Sequence, residues 1–167
     1  MTPSLRHGCR YAIVAFMLFA LTNCGGSRYV TLNADELNKA IELKHFVFLA
    51  STATPLSGGL IQLNGSNYDV QVSKDTVIAY LPYFGRSYTS SYGTANNGIR
   101  FTSTNFEYEE KKKSKGGWAI TIKLNDNSDV RSLQFDITGN NNSSLNVASN
   151  NRQAISFNGK ISSIIKK

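Results

Sequence analysis

From Trp118 to Asn125 the chain alternates without a break. Trp118, Ile120, Ile122 and Leu124 hold one phase, and Ala119, Thr121, Lys123 and Asn125 hold the other. Successive side chains of a strand point to opposite faces, so this run makes one face apolar and the other polar. The same period of two recurs along most of the sequence. Tyr68, Val70 and Val72 oppose Asp69, Gln71 and Ser73; Ile99 and Phe101 oppose Arg100 and Thr102, with Phe106 and Tyr108 extending them. Leu133, Phe135 and Ile137 oppose Gln134, Asp136 and Thr138, followed by Leu145 with Val147 and by Ile155, Phe157 and Ile161. Phe46 to Leu49 and Val77 to Leu81 add two shorter apolar runs.

Turn signals separate these runs: Ser57-Gly58-Gly59, Asn64-Gly65, Lys74-Asp75, Asn96-Asn97-Gly98, Lys115-Gly116-Gly117, Asn125-Asp126-Asn127, Gly139 to Asn142, and Asn158-Gly159. The spacing predicts seven to nine short strands in an antiparallel meander. A sheet with one apolar face must cover it, so the meander curls into a barrel or folds over as a sandwich.

One helix precedes the strands. Asn33 and Glu36 have the spacing of a capping box, Leu32 and Leu37 that of a hydrophobic staple, and Leu37, Ala40, Ile41 and Lys44 continue a helical stripe to Lys44. The expected fold class is mostly β with one N-terminal helix, in a single domain over residues 33–167. No break in composition divides it.

The first segment reads as an address. Arg6 and Arg10 precede Tyr11 to Thr22, twelve residues without a charge, which is the anatomy of a secretory signal peptide over residues 1–23. As a helix it would reach only about 18 Å, against a hydrocarbon core of about 30 Å. Leu21-Thr22-Asn23-Cys24 resembles a bacterial lipobox, with Asn23 where Gly, Ala or Ser is usual. Cys24 is then the lipidated N-terminus and membrane anchor, and residues 24–32 a tether. Several acyl chains hold a protein where one gives only marginal binding. Gly25-Gly26-Ser27-Arg28 has no acid. An acidic cluster there would resemble a surface-export signal, so the expected location is the outer membrane, facing the periplasm.

Loss of Arg6 and Arg10 takes the formal charge from +7 to +5, with the basic residues dispersed except at Lys111, Lys112, Lys113 and Lys115. That is too thin a stripe for nucleic acid. Two cysteines and two histidines exclude a disulfide scaffold, a zinc finger and a multi-histidine centre. His45 has no G-x-S-x-G elbow to serve, and Asp69, Asp75 and Asp136 fall on polar phases or in turns. Glu107, Glu109 and Glu110 face the lysine cluster as a solvated ion-pair surface. Asp126-Asn127-Ser128-Asp129 lacks the glycine and distal glutamate of a calcium loop. No catalytic residue, cofactor or metal site is expected.

Residues 80–92 are the densest aromatic stretch, with Tyr80, Tyr83, Phe84, Tyr88 and Tyr92 around Pro82 and Gly85. Such rings fill a barrel mouth or stack on a sugar or partner. Arg86 and Arg152 either satisfy carbonyls or a carboxylate such as Asp69 or Asp136, or join Tyr83, Phe84 and Tyr88 in a ligand or partner surface. The structural role is the preferred account of the two arginines.

Leu81-Pro82-Tyr83-Phe84-Gly85-Arg86, Gly98-Ile99-Arg100-Phe101, the lysine-rich hairpin into Gly117-Trp118, and Asn151-Arg152-Gln153-Ala154-Ile155-Ser156-Phe157-Asn158-Gly159 occur in that order. With the leader and helix, they resemble a family of Bacteroidetes lipoproteins catalogued as domain of unknown function 4251, over roughly residues 32–165. The resemblance implies an outer-envelope lipoprotein with a compact, mostly β domain, and no activity, cofactor or catalytic residue. The expected function is a non-enzymatic, lipid-anchored envelope domain that binds an envelope protein, a small molecule or a glycan. The alternatives are a lipocalin-like carrier of a small apolar molecule, with a cavity against Trp118 and Phe135, and an envelope glycan hydrolase.

Overall fold

The computed structural model describes residues 29–64, 68–88, 98–114 and 116–164. The leader, Cys24, Gly65, Tyr92, Asn96-Asn97 and Lys115 lie outside the described residues. Among the described residues eleven strands and one helix form in the order β1 (Tyr29–Thr31), α1 (Ala34–Glu42), β2 (Phe46–Pro55), β3 (Ile61–Gln62), β4 (Asp69–Val72), β5 (Val77–Leu81), β6 (Ile99–Ser103), β7 (Phe106–Lys112), β8 (Trp118–Leu124), β9 (Val130–Ile137), β10 (Asn142–Ser149) and β11 (Ile155–Ile164).

The strand order is β6-β5-β4-β2-β11-β10-β9-β8-β7, and every pairing is antiparallel. Counting neighbours around that order gives β6 and β7 the same direction, and only Thr104 and Asn105 separate them. They are two halves of one bent strand that leaves β5 and crosses to β8. The two ends of the sheet thereby meet in the chain, and the sheet curls nearly into a closed barrel. At the bend the inward phase slips by one residue, from Ile99 and Ser103 to Phe106 and Tyr108, as a bulge requires.

Asp126, in the β8–β9 turn, clamps the bend. Its carboxylate accepts from Ser103 Oγ at 2.5 Å, Thr104 N at 2.9 Å and Asn105 N at 3.1 Å, while Asn125 N donates to Asn105 O at 2.9 Å. The Ser103 hydroxyl and the backbone amides hold the Asp126 carboxyl below the usual aspartate range.

The interior is packed by the apolar phases of the strands. Phe135 meets Phe46 edge-on at 5.9 Å and Phe48 at 5.8 Å, and all three rings are buried. These pairs fix a dry centre with the geometry aromatic rings prefer. The helix ends at Glu42, two residues before the Lys44 its apolar stripe suggested, but the capping box is complete and Leu32, Leu37 and Ile41 are buried. Trp118 Nε1 donates to Asn38 Oδ1 at 2.9 Å and ties the helix to the start of β8.

Three expectations need correction. Tyr29–Thr31, read as tether, forms β1 beside the end of β11. Asp69, on a polar phase, is buried because Tyr29 Oη and Gln71 Nε2 donate to it, each at 2.9 Å. Asn158-Gly159 is no turn: it lies within β11, where the register against β2 shifts. Gly159 is there for close approach, since a Cβ would stand 2.0 Å from Leu49 O.

Gly159→Ala should therefore cost more than about 2 kcal/mol in urea unfolding, as a backbone-level clash does. Gly139→Ala, with open space around it, should stay within about 0.5 kcal/mol. Asp126 gives the pH prediction. A depressed carboxyl stabilises the fold above the ordinary aspartate range, and that contribution disappears as pH falls through the depressed value. The melting temperature of the parent should drop more steeply in acid than that of Asp126→Asn, followed by circular dichroism from about pH 6 to about pH 2.

Candidate functional site

At the barrel end away from α1, the chain leaves β5 through Pro82 and turns across the mouth. Ser87 bridges Arg152, Tyr88 N donates to Asn151 O at 2.8 Å, and Gln153 N donates to Arg86 O at 3.1 Å. Arg86 to Tyr88 is thus a strap paired to the segment that feeds β11. The strap depends on Gly85. A Cβ there would sit 2.3 Å from the Tyr83 hydroxyl, so glycine lets the Tyr83 ring fold back along its own chain. The Tyr83 hydroxyl then lies 2.9 Å from Arg86 O and 3.0 Å from Gln153 O, stitching both sides of the strap. Burial raises its pKa, against the lowering pull of the nearby Arg152 guanidinium.

The two arginines take different roles. Arg152 Nε and Nη2 meet Asp129 Oδ1 and Oδ2 at 3.1 and 2.9 Å, Nη1 approaches Gly98 O at 3.4 Å, and the guanidinium stacks 5.2 Å from the Tyr83 ring centroid. A bidentate, stacked fork of this kind is a structural anchor. Its carboxylate is Asp129, not the expected Asp69 or Asp136, because Asp69 is held by Tyr29 and Gln71, and Asp136 by Lys113. Asp129 comes from the turn whose Asx geometry, with Asn127 Oδ1 accepting from Asp129 N and Val130 N, aims it at the mouth. Sequence reading missed this partner. The dense run of turn-forming acids and amides from Asp126 to Asp129 is its one signal, and by composition that run indicates only a turn.

Arg86 has its backbone pinned and its side chain exposed, with no ion pair to a described residue. Phe84 and Tyr88 are 42% and 70% exposed. Tyr83 and Arg152 therefore form the base of the expected surface, and Phe84, Arg86 and Tyr88 its outward part. Tyr80 does not join them: it faces the outer wall of β5, stacked on Tyr68 at 5.6 Å with Arg100 4.5 Å above its ring.

The other candidate groups have structural partners or exposed positions. His45 is exposed at the start of β2. Glu107 and Glu109 pair with Lys123 across the β7–β8 ladder, at 3.5 and 3.6 Å, and not with the expected lysine cluster; the two carboxylates raise the Lys123 pKa. Among the described residues no three of His, Cys, Asp and Glu cluster as metal ligands. Burial and then Glu110 push the Tyr108 phenol well above its usual range.

Arg152→Met should lower stability by roughly 1.5–3 kcal/mol, the scale of a lost charged hydrogen-bond pair, because it leaves Asp129 unmatched. Arg86→Met should change it by less than about 0.5 kcal/mol. Chemical denaturation of the two variants separates the roles, and equal losses would contradict the assignment.

The family model described as a domain of unknown function, DUF4251, matches residues 30–161. No curated protein matches the chain. Its fold is similar to the crystal structure of a DUF4251 family protein from Bacteroides eggerthii DSM 20697, with a TM-score of 0.53 and 15% identity over 77% of this chain and 85% of that one. At that identity the likeness speaks for the fold alone. The family model spans the bent strand, the strap and most of β11, and the chain belongs to the DUF4251 family.

Proposed function

We propose that this protein is a lipid-anchored domain of the cell envelope, held in the outer membrane through Cys24 and facing the periplasm. We read it as a non-enzymatic binder of a ligand or partner that carries an acidic group. The observation that carries the reading is the strap. Phe84, Arg86 and Tyr88 are exposed on a segment whose backbone is bonded to residues 151–153 and underpinned by Tyr83, Arg152 and Asp129. Exposed aromatics held on a fixed frame lose little freedom when they bind. Beside them Arg86, which has no ion pair to a described residue, suits a carboxylate or phosphate.

The anchor is supported by the charged start, the short apolar run and the lipobox-like Leu21 to Cys24. The carrier alternative finds no support in the interior, where Phe46, Phe48 and Phe135 occupy the space a carried molecule would need. The hydrolase alternative would need two carboxylates in one cleft, whereas Asp69, Asp126, Asp129 and Asp136 each hold a separate structural partner.

Two experiments test the reading. Cys24→Ala should move the protein from the membrane fraction to the aqueous phase and remove the acyl mass; unchanged partitioning would refute the anchor. In a thermal-shift screen of the mature protein, a carboxylate- or phosphate-bearing envelope ligand at one hundred times its Kd should add about 2.7 kcal/mol. Arg86→Ala with Tyr88→Ala should abolish that shift while leaving the unliganded melting temperature in place. A shift that survives both substitutions would move binding elsewhere.

A further inference from the structure

A second surface lies on the flank of the barrel, distinct from the strap that crosses its mouth. Thr121, Gln134, Asn146, Ser156 and Thr54 pair directly across β8, β9, β10, β11 and β2. Their neighbours along each strand, such as Ile120, Phe135, Leu145 and Phe157, are buried in the core, so this rung faces outward. Two residues along, Asp136, Ser144 and Asn158 form a parallel rung on the same face. With strands about 4.8 Å apart, five of them span roughly 19 Å.

The outer wall of a barrel is ordinarily convex, but here it is hollowed. A depression of about 440 Å³ lies over β8 to β11, and a second of about 380 Å³ extends toward Lys160. Both include Asp136 and Ser144, so they form one trough. Ala119 and Ser144 supply the small side chains that leave it open.

We propose that this trough binds a linear, neutral glycan laid across the strands. Hydroxyl and amide side chains both donate and accept, as sugar hydroxyls do, and they recur here with the strand spacing. Asn146 Nδ2 donates to Ser156 Oγ at 3.1 Å, which spends a donor of the amide and fixes its orientation. Gln134 and Ser144 are exposed, and their side chains make no hydrogen bond to a described residue. Asp136 is paired with Lys113, which leaves Lys160 at one end as the lining cation, and the hydroxyl and amide rungs between are neutral. The large apolar residues beneath it, Ile120, Phe135 and Leu145, are buried in the core and offer an acyl chain little surface. The strands beneath are paired on both sides, which leaves no edge for a peptide to extend.

The test is titration calorimetry of the detergent-solubilised full chain with neutral β-linked hexasaccharides, cellohexaose and chitohexaose, up to millimolar concentration. Saturable binding is expected to at least one. Gln134→Ala with Asn146→Ala should weaken it about tenfold, the effect of losing one or two hydrogen bonds. Ser144→Trp should abolish it by filling the trough, and both variants should melt close to the parent. Arg86→Ala with Tyr88→Ala should leave it unchanged, which separates this site from the strap. Three results would overturn the proposal: no heat of binding to either sugar, binding that survives Ser144→Trp, or tighter binding of a polyuronate of the same length.

Discussion

A sheet that is apolar at every second position must find cover for an entire face, and in this protein the opposite wall of the same sheet supplies it. That solution requires the two ends of the sheet to meet. They meet because β6 and β7 are one strand, bent at Thr104 and Asn105. A bend exposes backbone amides that no ladder can satisfy, and an unsatisfied amide is expensive once water is excluded. Asp126 answers two of them with one carboxylate, and takes the Ser103 hydroxyl as well. The interior packing of Phe46, Phe48 and Phe135 depends on this closure, because an opened seam would turn the same rings toward solvent.

The barrel's ends are finished by different means. At one end α1 lies against the sheet and Trp118 bonds to Asn38, so an apolar stripe and one hydrogen bond do the covering. At the other the chain covers the mouth with its own backbone, in the pairing of residues 86–88 with 151–153. Backbone pairing leaves side chains unspent. Arg152 is drawn inward to hold Asp129, and Arg86, Phe84 and Tyr88 are left outside. The division between the arginines follows from which carboxylate each can reach.

Much of this was legible in the residues. The alternation of Trp118 to Leu124 and Leu133 to Ile137 gave strands, faces and burial together, because a period of two leaves one reading once a face must be buried. The capping box at Asn33 and Glu36 was equally legible, since its hydrogen bonds are local. What could not be read depended on contacts distant in sequence. Asp69 sits on a polar phase and is buried by Tyr29, forty residues away. Asn158-Gly159 has turn composition, yet the glycine serves the approach of Leu49 O from β2. Arg152 advertised an ion pair, but the sequence pointed to Asp69 or Asp136, and only the topology brings the Asp129 turn to the mouth.

The filled interior has a consequence for where binding can occur. A barrel that holds a small molecule in its lumen must keep side chains short on its inward phase, and here that phase carries Phe46, Phe48, Phe135 and Phe157. On the proposed reading, recognition falls to the outside, where two chemistries are separated. The strap offers aromatic area with a cation, suited to a few strong contacts. The flank offers a row of hydroxyls and amides, each weak in water and useful only when many engage one extended ligand. The proposed anchor at Cys24 would bring both surfaces to whatever lies within reach of the membrane.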